Sequence, residues 1–192
     1  MWQRQIAMAP TRPDSDARRW RFEKVFVDVY EPVQRYVRRR VDPDSVDDVV
    51  SETMLTVWRR LEDIPGDAVL PWTYGVARHQ IANHRRSSSR QLRLLSRVET
   101  ETVSGPDSDH PLDVELETAL ASLDETDREL LQLWAWEQLE PAEIAAVLGV
   151  SSNAISIRLH RAKAKLGEKL ALVRKNQPRT GHSSHVGKEE GS

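Results

Sequence analysis

The sequence contains no cysteine, so it can form neither a disulfide bond nor a thiolate metal site. Aromatic residues make up only 6% of its 192 residues, and no apolar run approaches the length of a membrane-spanning helix. The first ten residues lack the apolar run of a signal peptide. These absences favour a reducing compartment, and we expect the protein to act in the cytoplasm without inserting into a membrane.

The charges that are present nearly cancel, but they are segregated along the chain. The formal net charge is −2 although 30% of the residues are charged. Arginine is the only charged residue type over 71–97, acids dominate 101–143, and bases return over 144–179. Two basic stretches separated by an acidic one predict two nucleic-acid contacts within one molecule.

Apolar residues recur at helical spacing along most of the chain, which predicts an all-α fold. The first helix is expected over 21–41, where Pro32 is expected to kink or split it. Residues 104–111 have the composition of a linker. We therefore expect two small helical domains joined by a flexible linker, divided as follows: a disordered arm over 1–19, a first domain over 20–97, the linker over 98–111, a second domain over 112–173 and a disordered tail over 174–192.

The most informative pattern lies between Leu139 and Leu170, where two helical stretches meet at a short turn. Pro141 suits a first helical position, Gly149 suits the residue after the last turn, and Ser151 can cap the second helix. The second helix is predicted to bury Ile155, Leu159, Ala162 and Leu166. This pattern predicts a helix-turn-helix.

The opposite face of that second helix is predicted to contact DNA. Short polar side chains and an isoleucine suit base edges and thymine methyl groups, whereas cations suit phosphates. The residues assigned to DNA are Ser152, Asn153, Ser156, Ile157, His160, Arg158, Arg161 and Lys163. An ordinary helical hairpin with a solvated basic face would contain the same turn, but a cationic helix that follows an acidic stretch favours DNA.

Two further helices are predicted in the first domain. Ser45 and Asp48 have the spacing of a capping box, followed by a buried stripe of Val46, Val50, Met54, Val57 and Leu61. Leu55 lies among charged residues on the other face, where it is either an unremarkable exposed leucine or the centre of a docking surface. The helix that begins at Pro71 carries Trp72 and Tyr74 beside arginines. These aromatic rings could stack on unpaired bases, although a buried tryptophan is commoner.

In this order, the elements resemble a bacterial sigma factor of the small, two-domain extracytoplasmic-function (ECF) type. Residues 45–61 resemble the family's region 2 helix through Asp48, Glu52, Leu55 and Trp58, and residues 71–86 continue it through Trp72, Tyr74 and Ala77. The helix-turn-helix resembles region 4 through Glu143, Ile144, Ala145, Leu148, Gly149, Ser151, Arg158, Leu159, Arg161 and Ala162. The chain departs from the usual residues at Ser51, His79, Asn83, Asn153, Ala154 and Ser156, so the resemblance does not supply a promoter sequence.

The resemblance implies region 2 over 20–97 and region 4 over 112–173. It implies that Asp48, Ser51, Glu52 and Leu55 bind the β′ subunit of core RNA polymerase. The melted −10 strand would be bound by Trp72, Tyr74, Arg78, His79, Arg85 and Arg86. Region 4 would read the −35 element of promoter DNA and touch the β subunit. An anti-sigma factor is an expected partner, and no catalytic residue, cofactor or metal is expected.

Three other functions remain open at this stage. A helix-turn-helix regulator that acts without polymerase would explain residues 112–172 but not the aromatic and basic stretch over 72–86, and binding to core polymerase separates the two functions. An enzyme is disfavoured because His79 and His84 are five residues apart, off one helical face, and the acids lack a nucleophile or metal partner. An adaptor that never binds DNA is the third.

Overall fold

The computed structural model describes residues 13–95 and 111–176, and every regular element in these ranges is helical. This confirms the predicted all-α class. The α-helices are α1 (Pro13–Arg38), α2 (Val46–Arg59), α3 (Val69–Leu95), α4 (Pro111–Ala121), α5 (Glu125–Ala135), α6 (Pro141–Leu148) and α7 (Ser152–Asn176). Short 3-10 helices cover Pro43–Ser45 and Leu61–Asp63. Most of the predicted arm, linker and tail lies outside the described residues.

The first three helices pack against one another and form the N-terminal domain. The stripe predicted for α2 is buried, and α1 contributes the fully buried Val29, Val33 and Val37. Helix α1 begins at Pro13, inside the range predicted as an arm, and continues through Pro32 as one helix instead of splitting there. Buried valines on both sides of Pro32 hold the helix in place despite the missing hydrogen-bond donor.

The predicted capping box at Ser45 is wrong. Ser45 has helical dihedral angles and makes no side-chain cap to α2. A 3-10 turn precedes α2, and it directs the Ser45 hydroxyl to donate to the Asp42 carboxylate instead. That hydrogen bond is the main cause of a lowered pKa at Asp42. The start predicted for α3 is also late, since the helix begins at Val69 and continues well past the serines at 87–89.

Helices α4, α5 and α6 pack on α7 and form the C-terminal domain. Its largest fully buried side chains are Leu130, Leu133, Ile144 and Ile155. The start of α5 is capped by Asp124, whose carboxylate accepts a hydrogen bond of 2.9 Å from the Asp127 backbone N–H. At α6 the Glu143 carboxylate accepts one of 2.8 Å from the Glu140 backbone N–H.

The predicted helix-turn-helix is formed by α6 and α7, whose axes bend by 105° across the turn. Gly149 occupies the left-handed region with φ 68°, which ends α6 as expected. The Ser151 hydroxyl oxygen accepts a hydrogen bond of 3.4 Å from the Ala154 backbone N–H, so it caps α7. The turn is thus built from the two residues that the sequence singled out.

The two domains are packed together. Helix α3 lies against α6, and buried apolar residues of both domains form one continuous cluster. At the crossing, a methyl group added to Gly75 would lie 3.7 Å from the Val147 carbonyl oxygen, which is ordinary van der Waals contact. The sequence predicted the two domains but not that they would share a core.

Alanine substitutions at two glycines should change stability in opposite directions. Gly149→Ala places a side chain at φ 68°, which costs about 1–2 kcal/mol. Gly167 lies inside α7 with no atom within 4 Å of an added methyl group, so Gly167→Ala should stabilise by about 0.5–1 kcal/mol. Denaturant midpoints of the two variants measure this, and shifts of the same sign would contradict the assigned turn.

Candidate polymerase and nucleic-acid surfaces

Helix α7 has a buried inner face and an exposed outer face. Ile155, Leu159 and Ala162 are buried within the C-terminal domain, whereas Leu166 is only partly buried. The outer face exposes the polar and apolar residues predicted to read bases, namely Ser152, Asn153, Ser156, Ile157 and His160. Ile157 is 47% exposed and therefore contributes little to the core. The structure brings these five residues together on one accessible helical surface.

The cations predicted to contact phosphates flank that outer face. Arg158, Arg161 and Lys163 are all exposed. The ammonium group of Lys163 lies 3.3 Å from the centre of the Trp134 ring, a cation–π contact that the sequence analysis missed. Lys165 is paired with the Asp127 and Asp124 carboxylates, and the hydrogen bond to Asp127 is the main cause of its raised pKa. Lys165 is thus engaged within the C-terminal domain.

The outer face of α2 forms a second accessible surface. Asp48, Ser51, Glu52 and Leu55 are all exposed, as predicted, and Leu55 is 39% exposed. No ion pair or side-chain hydrogen bond is recorded for the two acids among the described residues, although Thr56 donates to the Glu52 backbone carbonyl. An apolar side chain between free carboxylates is an arrangement suited to a protein partner that offers an apolar pocket with cations around it.

The outer face of α3 carries a third surface. Arg78, His79, Arg85 and Arg86 are exposed, and a shallow groove along the helix is lined by Asn83, Arg85, Arg86, Ser89 and Arg90. Arg86 donates to the Asn83 side-chain oxygen at 2.7 Å, which orients its guanidinium along the groove. A row of arginines spaced about one turn apart suits the phosphates of a nucleic-acid strand.

The two aromatic residues predicted beside these arginines point into the protein. Trp72 is half-buried against the cluster of Val57, Leu61 and Ile64, with the Arg60 guanidinium 5.4 Å from its ring. Tyr74 is only 2% exposed, and its ring lies 5.0 Å from that of Tyr36. Burial, followed by the charge of Glu137, raises the pKa of Tyr74 to about 12. In this arrangement Tyr74 is unavailable for stacking on a base.

The structure also shows a polar cluster that the sequence analysis did not predict. Arg40, at the end of α1, is 6% exposed and pairs with two carboxylates of the C-terminal domain. Its Nε donates to Glu129 at 3.0 Å and its Nη1 to Glu137 at 3.3 Å. A run of three arginines at 38–40 was visible in the sequence, but its partners lie about ninety residues away.

The neighbours of Arg40 extend this cluster. Arg39 Nη2 donates to Glu137 at 2.6 Å, and the Tyr36 hydroxyl donates to Glu129 at 2.8 Å. Burial, then the Glu129 charge, raises the pKa of Tyr36 well above its usual range. Burial alone would lower the pKa of Arg40, but the carboxylate of Glu129 and its neighbours raise it overall. The cluster is therefore charged, and we call Tyr36, Arg39, Arg40, Glu129 and Glu137 the interdomain cluster.

Metal and membrane sites were searched over 13–95 and 111–176. Within these ranges no group of three His, Asp or Glu side chains could hold a metal ion. His182 and His185 of the sequence lie outside them. No single described helix is long and apolar enough to cross a bilayer, and α6 with α7 meets that criterion only as a bent pair.

The sequence matches two protein-family descriptions in the predicted order. It matches "Sigma-70 region 2" over residues 25–91 and "Sigma-70, region 4" over residues 113–166. It is 33% identical over 143 residues to the ECF RNA polymerase sigma factor SigF of Caulobacter vibrioides, covering 72% of this chain and 79% of that protein. It is also 33% identical over 158 residues to the RNA polymerase sigma factor CarQ of Myxococcus xanthus, covering 78% and 88%.

Similar solved structures support the fold. The sigma factor RpoE of Bartonella quintana, solved in complex with the anti-sigma factor NepR, superimposes with a TM-score of 0.63 at 22% identity. That match covers 79% of this chain and 97% of RpoE. CnrH in complex with the cytosolic domain of CnrY gives a TM-score of 0.55 at 24% identity, covering 81% and 89%.

Tyr74 should behave as a core residue when it is replaced. Tyr74→Ala removes a ring that is 2% exposed and should destabilise the protein by about 3–5 kcal/mol. Arg78→Ala, one turn along the same helix, removes an exposed side chain and should change stability by less than about 0.5 kcal/mol. Denaturant unfolding compares the two variants, and equal stabilities would contradict the buried position of Tyr74.

Proposed function

The chain belongs to the sigma-70 family, as an ECF-type RNA polymerase sigma factor that binds core polymerase and directs promoter-specific initiation, and we propose how its residues divide that work. The outer face of α2 binds the polymerase, the exposed arginines of α3 bind the −10 region, and the outer face of α7 reads the −35 element. The observation that carries this proposal is the exposure of Ile157 between Ser156 and His160, on a helix whose other face is buried.

The α2 surface is assigned to the polymerase because of its composition. Leu55 supplies an apolar anchor, and Asp48 and Glu52 supply charges that a basic partner can neutralise. Nucleic acid would be repelled by these carboxylates, whereas a protein surface can match them. A small number of central residues usually provides most of the binding energy of an interface, so Leu55 and Glu52 are the residues to test.

The α3 surface is assigned to the −10 region with a division of labour. Arg78, Arg85 and Arg86 contact phosphates, and His79 contacts the strand beside them. Trp72 and Tyr74 act differently from the initial expectation while the domains are packed together. Trp72 supports the segment that precedes α3 by packing on Leu61 and Ile64. Tyr74 reaches a base only if α6 moves away from α3.

The α7 surface is assigned to the major groove of the −35 element. Ser152, Asn153, Ser156 and His160 offer hydrogen-bonding groups to base edges, and Ile157 offers an apolar contact to a thymine methyl group. Arg158, Arg161 and Lys163 contact the phosphates on either side. The Trp134 ring under Lys163 limits the positions of its ammonium group and so orients it for a phosphate.

Regulation, location and the absence of catalysis complete the proposal. RpoE of Bartonella quintana is inhibited in a complex with an anti-sigma factor, as the name of its partner states, and we extend such a partner to this chain. The factor acts in the cytoplasm together with the polymerase and carries out no chemical reaction of its own. A regulator that acts without polymerase is not favoured, because it would not need region 2.

Two groups of α7 residues should fail differently when they are replaced. Ser156→Ala or His160→Ala should change the preference at one −35 base by about 1–3 kcal/mol. Arg161→Ala should weaken all promoters alike and reduce the slope of log affinity against log salt by about one unit. Binding of single-base −35 variants by holoenzyme provides the measurement. The assignment fails if Arg161→Ala reorders the variants and His160→Ala does not.

The α2 surface should be needed for polymerase binding but not for folding. The double substitution Leu55→Ala, Glu52→Lys removes the anchor and reverses a charge, which should weaken binding to core polymerase by at least about tenfold. Arg59→Ala, on the same exposed face one turn later, serves as a control for helix stability. Pull-down with purified core polymerase reads the result, and normal retention of a folded double variant would remove the assignment.

A further inference from the structure

The interdomain cluster joins the two DNA-binding domains through buried charges, and we propose that it is an autoinhibitory latch. In this proposal, which rests on the proposed function, the free factor keeps its domains docked. Glu129 and Glu137 hold Arg39 and Arg40, and the latch opens before both promoter elements are bound. The polymerase-binding face of α2 stays accessible in the docked form, so opening follows the encounter with polymerase.

The cluster contains the strongest kind of contact between the domains. The side chains of Arg40 and Glu137 are 5% and 3% exposed, and that of Glu129 is 18% exposed. A buried charge that loses its partner is costly, so each arginine holds the carboxylates of the other domain in place. One guanidinium nitrogen of Arg40 and the Nε of Arg39 are buried without a hydrogen-bond partner. The cluster is thus closed tightly but is not fully satisfied.

A carboxylate of the C-terminal domain also occupies an arginine assigned to DNA. Arg85 Nη1 donates to Glu125 at 3.0 Å, while its Nη2 donates to the Arg40 backbone carbonyl at 3.0 Å. This places a negative charge where a phosphate would pair. Tyr74 is covered in the same arrangement, because α6 lies over the face of α3 next to it. Docking therefore withdraws part of the −10 surface.

The docked arrangement is also too short for a promoter. The centres of the −10 and −35 elements are about 25 base pairs apart, which is about 85 Å at 3.4 Å per base pair. Helix α3 touches α6, and α6 touches α7, so two interaxial distances of about 8–10 Å each separate α3 from the recognition helix at this crossing. Duplex DNA is stiff over such lengths and cannot fold back to bridge the difference. The domains must separate.

Electron spin resonance can measure the separation directly, since the chain has no cysteine of its own. Spin labels on Glu23→Cys and Glu168→Cys, both exposed, report the distance between the domains. The otherwise unchanged chain should give one narrow distance. Adding Glu129→Gln and Glu137→Gln should give a longer and broader distribution.

A matched control removes the same number of negative charges without touching the cluster. Glu62 pairs with Arg21 inside the N-terminal domain, and Glu115 pairs with Arg174 inside the C-terminal domain. Adding Glu62→Gln and Glu115→Gln should therefore leave the narrow distance unchanged. A broad distribution in the unchanged chain, or a narrow one after the Glu129 and Glu137 substitutions, would overturn the latch.

A covalent tether tests the functional consequence. Arg39→Cys and Glu137→Cys, joined by a short bis-maleimide, keep the domains docked, and the same variant capped with a mono-maleimide is the control. The tethered protein should still bind core polymerase through α2. It should support at least about tenfold less promoter-specific transcription than the capped protein, because no open fraction remains.

The outcomes separate the two proposals. Equal transcription by the tethered and capped proteins would overturn the latch and leave the proposed function intact. A folded, capped protein that fails to bind core polymerase, together with an unsubstituted chain that also fails, would instead remove the proposed function and the latch that rests on it.

Discussion

The buried guanidinium of Arg40 is the constraint on which the arrangement of the two domains depends. Taking a cation out of water is costly unless carboxylates and hydrogen bonds replace the solvent. Arg40 finds such partners only in α5, about ninety residues away, at Glu129 and Glu137. Because Tyr36 and Arg39 use the same two carboxylates, the end of α1 and the length of α5 are held in one relative position.

This constraint sorts the functional residues into accessible and covered sets. The α2 surface around Leu55 and the α7 surface around Ile157 stay exposed, so polymerase and duplex DNA each find a free face. Tyr74 and part of the α3 surface are covered by the packing of α3 on α6. A two-domain initiation factor that is packed in this way presents its contacts one after another instead of all at once.

Local patterns in the sequence predicted the helices and their faces well. The stripe from Val46 to Leu61, the turn at Gly149 and the exposed position of Ile157 follow from spacing and from the conformational freedom of glycine. The assignments of individual residues to polymerase and to DNA stay predictions.

Features that depend on distant partners were not predictable from the sequence. The Ser45 hydroxyl had two possible acceptors or donors, and a 3-10 turn decided in favour of Asp42. Tyr74 lies on a basic helix, but only the contact with Tyr36 and α6 decides that it is buried. The interdomain cluster required pairing between residues about ninety positions apart, which periodicity does not reveal.

Reconstituted transcription with purified core polymerase on a library of promoter fragments tests the central claim most directly. If the chain is a sigma factor, core polymerase with the chain should initiate at a defined subset that shares −10 and −35 sequences, and core polymerase alone should not. Transcripts from core polymerase with the chain that are no more numerous and no more sequence-selective than those from core polymerase alone would contradict the account.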